Sequence, residues 1–201
     1  MDAVTTMREG TLHDFPGVYR VCRLTGHAGR DATSRHADPD LLGHLWAGPY
    51  LAFPEAVTRV IHDDQGVAGY CLAVPDTAAF EHWLDTVWLP PLRERLPLGS
   101  GATEADRALV ERIHETPRSD AALLAEHPAH LHVDLLPRLK GQGWGRRIMD
   151  EVVGELSREG VPGIHLGVDP GNTAAPGFYQ RLGFRPVTGP PGARWYGILL
   201  A

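Results

Sequence analysis

Leu135-Leu136-Pro137-Arg138-Leu139-Lys140-Gly141-Gln142-Gly143-Trp144-Gly145-Arg146-Arg147 sets three glycines at alternate positions, and the residues on either side give them meaning. Leu131 to Leu136 reads as a strand. Ile148, Val152, Val153 and Leu156 fall on one face of a helix over Gly145 to Glu159, and Ile164 to Val168 reads as a second strand. Parallel strands need a crossover of a dozen residues or more, which Pro137 to Gly163 supplies. A glycine-rich turn between strand and helix is an anion cradle. Without Cβ atoms in the way, successive backbone N–H groups turn toward one centre, and the helix N-terminus adds partial positive charge. A phosphate or pyrophosphate is the natural ligand. Lys140, Arg146 and Arg147 flank the loop, either to contact further phosphates or merely as solvated charges. The spacing G-x-G-x-G departs from the dinucleotide fingerprint G-x-G-x-x-G, and no Gly-Lys-Ser/Thr follows, which excludes a Walker A loop. The plain alternative is a tight turn that binds nothing.

Toward the N-terminus, Val4 to Arg8 reads as a first strand. Asp14-Phe15-Pro16 then starts a helix with Val18, Val21 and Cys22 on its apolar stripe. A small, polar loop over Gly26 to Ala37 leads to a second helix, opened by Asp38-Pro39 and carrying Leu41, Leu42, Leu45 and Trp46. Val57 to His62 and Val67 to Val74, joined by Asp63-Asp64-Gln65-Gly66, read as an antiparallel hairpin. Pro75 to Pro128 holds only helical pieces, near Thr77 to Leu89, Ala105 to Ile113 and Ala121 to Ala125. Pro90-Pro91, Pro97 and Gly99-Ser100-Gly101 interrupt them, and their apolar faces are expected to pack on the sheet. Pro176 to Leu182 is a short helix closed by Gly183, before strands at Phe184 to Val187 and Trp195 to Leu200. The expected architecture is α/β: one domain over residues 1–201 with a mixed central sheet of about seven strands, helices on both faces, and a helical insertion (about 75–128) between the third and fourth strands.

Composition narrows the function. At 43% apolar and 22% charged residues over 201 positions, the chain can bury a core and is not disordered. Nineteen Lys and Arg against 25 Asp and Glu leave a net charge of −6, which lacks the basic footprint that nucleic acid requires. No basic segment followed by an apolar run opens the chain and no stretch of about 18 apolar residues occurs, so a cytoplasmic protein with no membrane attachment is expected. Cys22 and Cys71 sit in apolar runs and suggest neither a disulfide framework nor zinc. The eleven His include no H-E-x-x-H, so no metal is expected.

A second segment, Asn172-Thr173-Ala174-Ala175-Pro176-Gly177-Phe178-Tyr179-Gln180-Arg181-Leu182-Gly183-Phe184, follows the second strand. With Lys140-x-x-Gly143-x-Gly145 it resembles the GCN5-related N-acetyltransferase (GNAT) superfamily. The acyl-CoA loop there reads Arg/Gln-x-x-Gly-x-Gly/Ala, and the later motif reads Asn-x-x-Ala-x-x-aromatic/Leu-Tyr-x-x-x-Gly-Phe. Lys140 stands where Arg or Gln is usual. The N-terminal half narrows the resemblance. Phe15-Pro16-Gly17-Val18-Tyr19-Arg20-Val21-Cys22, Arg30-Asp31-Ala32-Thr33, Gly48-Pro49-Tyr50-Leu51, Trp88-Leu89-Pro90-Pro91-Leu92 and His132-Val133-Asp134 look like the acetyltransferase-like C-terminal domain of animal O-GlcNAcases. The glycosidase activity has no counterpart domain here. The loop glycines, degraded in the animal domain, are intact in this chain.

The resemblance implies a GNAT fold and direct acetyl transfer from acetyl-CoA. Its pantetheine would pair with strand backbone near Val133 to Leu135, where an N–H polarises the thioester. Its pyrophosphate would sit on N–H groups of Gln142, Gly143, Trp144 and Gly145, beside Lys140, Gly141 and Arg146. Tyr179 matches the tyrosine that protonates the departing thiolate, or else is a core aromatic. Asn172 matches a cofactor-binding position, or caps a helix. Strand alternation puts His132 and Asp134 on one face, making Asp134 a candidate base or one half of a structural His-Asp pair. Asp31, Trp46, Tyr50 and Trp88 are candidates for the acceptor pocket, each with a packing or solvated alternative. The implied function is acetyl-CoA-dependent N-acetylation of an amine, small-molecule or peptide. The rival is a catalytically silent acetyltransferase-like binding module. The protein is expected to be a monomer or homodimer, with Arg194 to Leu200 either pairing at a sheet edge or paired internally.

Overall fold

The computed structural model describes residues 4–200. Strands β1 (Thr6–Glu9), β2 (Val57–Asp63), β3 (Gly66–Val74), β4 (Ala129–Leu135), β5 (Gly163–Val168), β6 (Arg185–Val187) and β7 (Arg194–Leu199) form one seven-stranded sheet in the order β1-β2-β3-β4-β5-β7-β6. Every neighbouring pair is antiparallel except β4 with β5. That parallel pair is joined only at Ala129–Ile164 and His130–His165, and the two strands part beyond those residues.

The crossover contains a 3-10 turn, Pro137–Leu139, and helix α8 (Trp144–Arg158). Ile148, Val152 and Leu156 of α8 recur every four residues and are fully buried, so one side of the helix lies on the sheet. Gly160, at φ +79°, ends it by taking the left-handed conformation that glycine tolerates. With α9 (Ala175–Arg181), α8 covers a face whose core includes Ile61, Cys71, Leu131 and Phe184. The other face is covered by α1 (Phe15–Thr25), α2 (Leu41–Trp46), α3 (Gly48–Ala52) and α4 (Thr77–Trp83), around Val18, Val21, Tyr70, Leu72 and Phe80. Strand β3 is buried on both faces, Cys71 and Ala73 on one and Tyr70, Leu72 and Val74 on the other.

The structure departs from the sequence expectations in four places. Strand β1 starts at Thr6 rather than Val4, because its ladder to β2 begins at the Thr6–His62 pair. Helix α3 has no counterpart in the expected elements; Pro49 sits in its first turn, where the missing N–H costs nothing. The chain does not break at Pro90-Pro91 either. Helix α4 runs through a π-turn, Leu84–Trp88, into α5 (Leu89–Arg95), whose first turn contains both prolines. Finally, α4 reaches the sheet core through Phe80, but α5 and α6 (Glu104–His114) bury Leu89, Leu92, Val110 and Ile113 against Leu41 of α2 as a separate cluster. Helix α7 (Ala121–Glu126) closes the insertion. The C-terminal strand β7 lies between β5 and β6, so its pairing is internal and the sheet edges are β1 and β6.

One buried carboxylate ties the insertion to the loop before α2. Asp106 accepts from the backbone N–H of Thr103, completing the cap of α6, and from the N–H of Ala37 at 3.1 Å, with His36 Nδ1 at 3.0 Å.

Candidate active site

Where β4 and β5 part, a cleft of about 120 Å³ opens, lined by Leu131 to Asp134 on one side and Leu166 to Asp169 on the other, with Asn172, Ala175 and Tyr179 at its end. Four residues singled out in the sequence, Val133, Asp134, Asn172 and Tyr179, therefore meet in one place. A larger, more open groove of about 420 Å³ runs along α1 past Phe15, Tyr19, Arg20, Arg23 and Asp40, and shares no residue with the cleft.

The glycine loop shows why each glycine stands where it does. Gly141 and Gly143 have φ of +77° and +81°, with Gln142 between them outside that region, so the backbone alternates in hand as an anion-binding nest does. A Cβ at either glycine would meet nothing within 4 Å, so conformation, not crowding, demands glycine. Gly145 is the opposite case. A Cβ there would lie 3.1 Å from Phe178 and 3.2 Å from Leu135, because the first turn of α8 packs directly on α9 and β4. Gly143 caps α8 with no side chain, and the first turn of this 15-residue helix contains no acidic residue. Its N-terminal N–H groups and dipole thus face open space with Lys140 and Arg146 exposed alongside, a donor set that fits a pyrophosphate. Arg146 pairs with Asp150 at 3.3 Å, Arg147 lies 5.0 Å over the Trp144 ring, and the Gln142 side chain donates to the carbonyl of Arg138.

Tyr179 is 8% exposed and packs against Phe178, Phe184 and Tyr196. Burial, reinforced by the negative charge of Asp134, holds its phenol well above the ordinary value, so it keeps its proton at neutral pH. It is both a core aromatic and a lining group of the cleft. Asn172 likewise fills two roles: Oδ1 accepts from the N–H of Ala175 at 3.2 Å at the start of α9, and the residue lines the cleft.

Asp134 and His132 share a face of β4, as alternation requires, but the hydrogen bond of the carboxylate goes to β3. Tyr70 Oη donates to Asp134 Oδ2 at 2.7 Å. Burial pushes the Asp134 carboxyl up to about 6, against the opposing pull of the hydrogen bond from Tyr70 and the charge of Lys140. His132 is pushed down to about 4, by burial first and then by Arg112 and His165, so its imidazole is neutral at pH 7. Tyr70 went unremarked in the sequence. Tyr70 sits in an apolar run, and only the β3–β4 register sets it opposite Asp134.

None of the four residues expected at the acceptor pocket lines the cleft, although the Tyr50 ring lies 5.2 Å from that of His132, which does. Tyr50 is 3% exposed and part of a hydrogen-bonded chain. Its hydroxyl lies 2.6 Å from His130 Nε2, His130 Nδ1 lies 2.7 Å from Thr77 Oγ, and Thr77 donates to the carbonyl of Pro128. The direction Tyr50 to His130 to Thr77 to Pro128 uses every proton, which fixes His130 as the Nδ1–H tautomer. This chain pins β4 at its last pairing residue with β5. Trp46 lies beneath the Arg112 guanidinium at 5.6 Å. Trp88 stacks on Phe15 and donates to the carbonyl of His44, and exposed Asp31 accepts from the N–H of Thr33. The loop after α1 does reach the cleft rim: a Cβ on Gly29 would sit 3.2 Å from Asn172 Nδ2, and one on Gly171 would sit 3.5 Å from Ala28. Among the described residues, no group of three His, Cys, Asp or Glu side chains is placed to hold a metal, and no helix is long and apolar enough to cross a membrane.

A mixed sheet split along its parallel pair, with an anion loop feeding the split, places the chain in the acyltransferase class of α/β folds. It belongs to the Acetyltransferase (GNAT) family, which it matches over residues 30–184. Protein O-GlcNAcase of Rattus norvegicus and that of Mus musculus are each 24% identical to it over 183 residues. Those alignments cover 90% of this chain and 20% of the relatives, so the chain spans about a fifth of their length. The crystal structure of SsHAT is similar with a TM-score of 0.84 at 32% identity, over 98% of both chains. A phosphinothricin acetyltransferase from Sinorhizobium meliloti, solved in complex with AcCoA, shares the fold with a TM-score of 0.54 at 15% identity, over 100% of this chain and 90% of that one.

Proposed function

We propose that this protein is an acetyl-CoA-dependent N-acetyltransferase that transfers acetyl directly to an amine acceptor, a small molecule or a peptide, within a single domain. The observation that carries this reading is the meeting of Asp134 and Tyr179 in the β4–β5 split, one able to accept a proton and the other held protonated. The glycine loop at α8 supports the same reading, as a seat for the cofactor pyrophosphate.

Asp134, ionised above about pH 6, takes a proton from the acceptor nitrogen, directly or through water. The nitrogen bonds to the thioester carbonyl carbon while a backbone N–H of the unpaired β4 edge near Val133 steadies the charge gathering on oxygen. As the C–S bond breaks, Tyr179 gives its proton to the sulfur. The proton held by Asp134 passes to solvent and Tyr179 is reprotonated. The products are an amide and the CoA thiol.

Calorimetric titration with acetyl-CoA tests the reading, with CoA, ATP and NAD as comparators and a panel of primary amines scored afterwards by thiol release. Gly143→Asp keeps a residue that tolerates the left-handed conformation yet puts a carboxylate where phosphate would sit. Micromolar acetyl-CoA binding lost in the folded variant is the expected result. Binding without turnover on any amine would instead favour a silent binding module, and no binding to the folded wild type would remove the cofactor assignment.

A further inference from the structure

Tyr70 is 0% exposed, and its ring packs among Val18, Leu72 and Phe80. A phenylalanine would fill that space as well, so packing alone gives no reason for a hydroxyl. The hydroxyl meets Asp134, its cross-strand neighbour, with Oη 2.7 Å from Oδ2. Burial and the adjacent carboxylate keep the phenol protonated, so it is the donor. We propose that Tyr70 is a positioning residue for the proton transfer: its hydrogen bond ties one oxygen of Asp134 to β3 and fixes the carboxylate in the cleft as a base. This inference rests on the reading of Asp134 as the base.

The surroundings isolate the effect of that bond. Cys71 on β3, Cys22 on α1 and Tyr179 on α9 are all pushed upward by burial and stay neutral where Asp134 titrates. His132 is neutral there too, Lys140 beyond the strand is the charge that bears on Asp134, and Asp169 lines the far side of the cleft. Donation from Tyr70 favours the ionised carboxylate, so its removal makes Asp134 hold its proton to higher pH.

The test is a ¹³C NMR titration of aspartate carboxyls in the wild type and in Tyr70→Phe, with Asp134→Asn to assign the signal. Loss of one hydrogen bond to a charged group is worth about one pH unit, so the Asp134 midpoint is expected to rise by that much. The acid limb of thiol release, with acetyl-CoA and the most active amine of the panel, moves with it. The rate at pH 6 falls about fivefold more than the rate at pH 8, a pattern that a merely structural role does not produce. An unmoved Asp134 midpoint in folded Tyr70→Phe overturns the proposal. Should Asp134→Asn itself leave the acid limb in place, the base reading fails, whatever Tyr70 does to the midpoint. If Tyr70→Phe does not fold, Tyr70→3-fluorotyrosine keeps the size and strengthens the donor. The midpoint then falls, and no change counts against the proposal.

Discussion

Tyr179 and Asp134 occupy one cleft, and burial acts on them in ways that suit opposite tasks. It keeps the phenol protonated and raises the carboxyl to about 6, close to working pH. Tyr179→Phe is therefore expected to leave acetyl-CoA affinity intact by calorimetry and to lower thiol release by about 10²–10⁴-fold, the usual worth of a positioned acid. Loss of affinity in the folded variant would make Tyr179 a binding residue instead. For Asp134 the sign of the stability effect follows from the direction of the shift. Its folded value lies above the ordinary 3.8, so the folded state binds more protons between 3.8 and about 6, and stability falls as pH rises through that window. Asp134→Asn keeps an acceptor for Tyr70 and removes the buried charge. Melting curves should show it stabilised by about 1–3 kcal/mol at pH 7 and little changed near pH 4, even as activity is lost. Equal melting shifts at both pH values would contradict this.

Helices α1, α6 and α8 and the β2–β3 hairpin could be read from spacing because amphipathic periodicity and turn chemistry are local. The errors came where local chemistry is ambiguous. Proline breaks a helix interior but opens a first turn, and nothing in Pro90-Pro91 says which applies. Likewise, the capping box at Thr103 and Asp106 looks like an ordinary helix start, yet Asp106 also holds the loop before α2 through Ala37 and His36. Its carboxyl is lowered by those hydrogen bonds despite burial, so its contribution is full at neutral pH and is lost as pH falls below the ordinary carboxylate range. Asp106→Ala should cost about 1–3 kcal/mol at pH 7 and speed proteolysis within residues 26–40. A variant that melts like the wild type would show that the loop holds without this tie.

Across the whole sheet, the decisive feature is that β4 pairs with β3 at six positions but with β5 at only two. Backbone N–H groups of β4 past His130 that face β5 should exchange with deuterium faster than those paired to β3, and should become protected when acetyl-CoA is added. Protection confined to residues 140–146 would indicate that the pyrophosphate binds without the pantetheine entering the split. The glycine loop and the helix of Tyr179 were legible as elements because each stretch is contiguous, and the fold sets Val133, Asn172 and Tyr179, which only the resemblance linked, around one cleft. The partners that Trp46, Tyr50 and Trp88 meet in the fold, Arg112, His130 and the carbonyl of His44, lie 44 to 80 residues away and could not be read from spacing.

The order of the strands, the left-handed glycines at 141 and 143 and the alternation of β4 were determined by the sequence, because backbone sterics and strand pleat act over a few residues. The partner of Asp134, the internal place of β7, the separate core of the insertion and the crowding that makes Gly145 glycine emerged only in the folded chain. They depend on which distant segments pack together, Tyr70 lying 64 residues from Asp134, and the free energy of such contacts is shared over a whole packed layer rather than written in any one stretch.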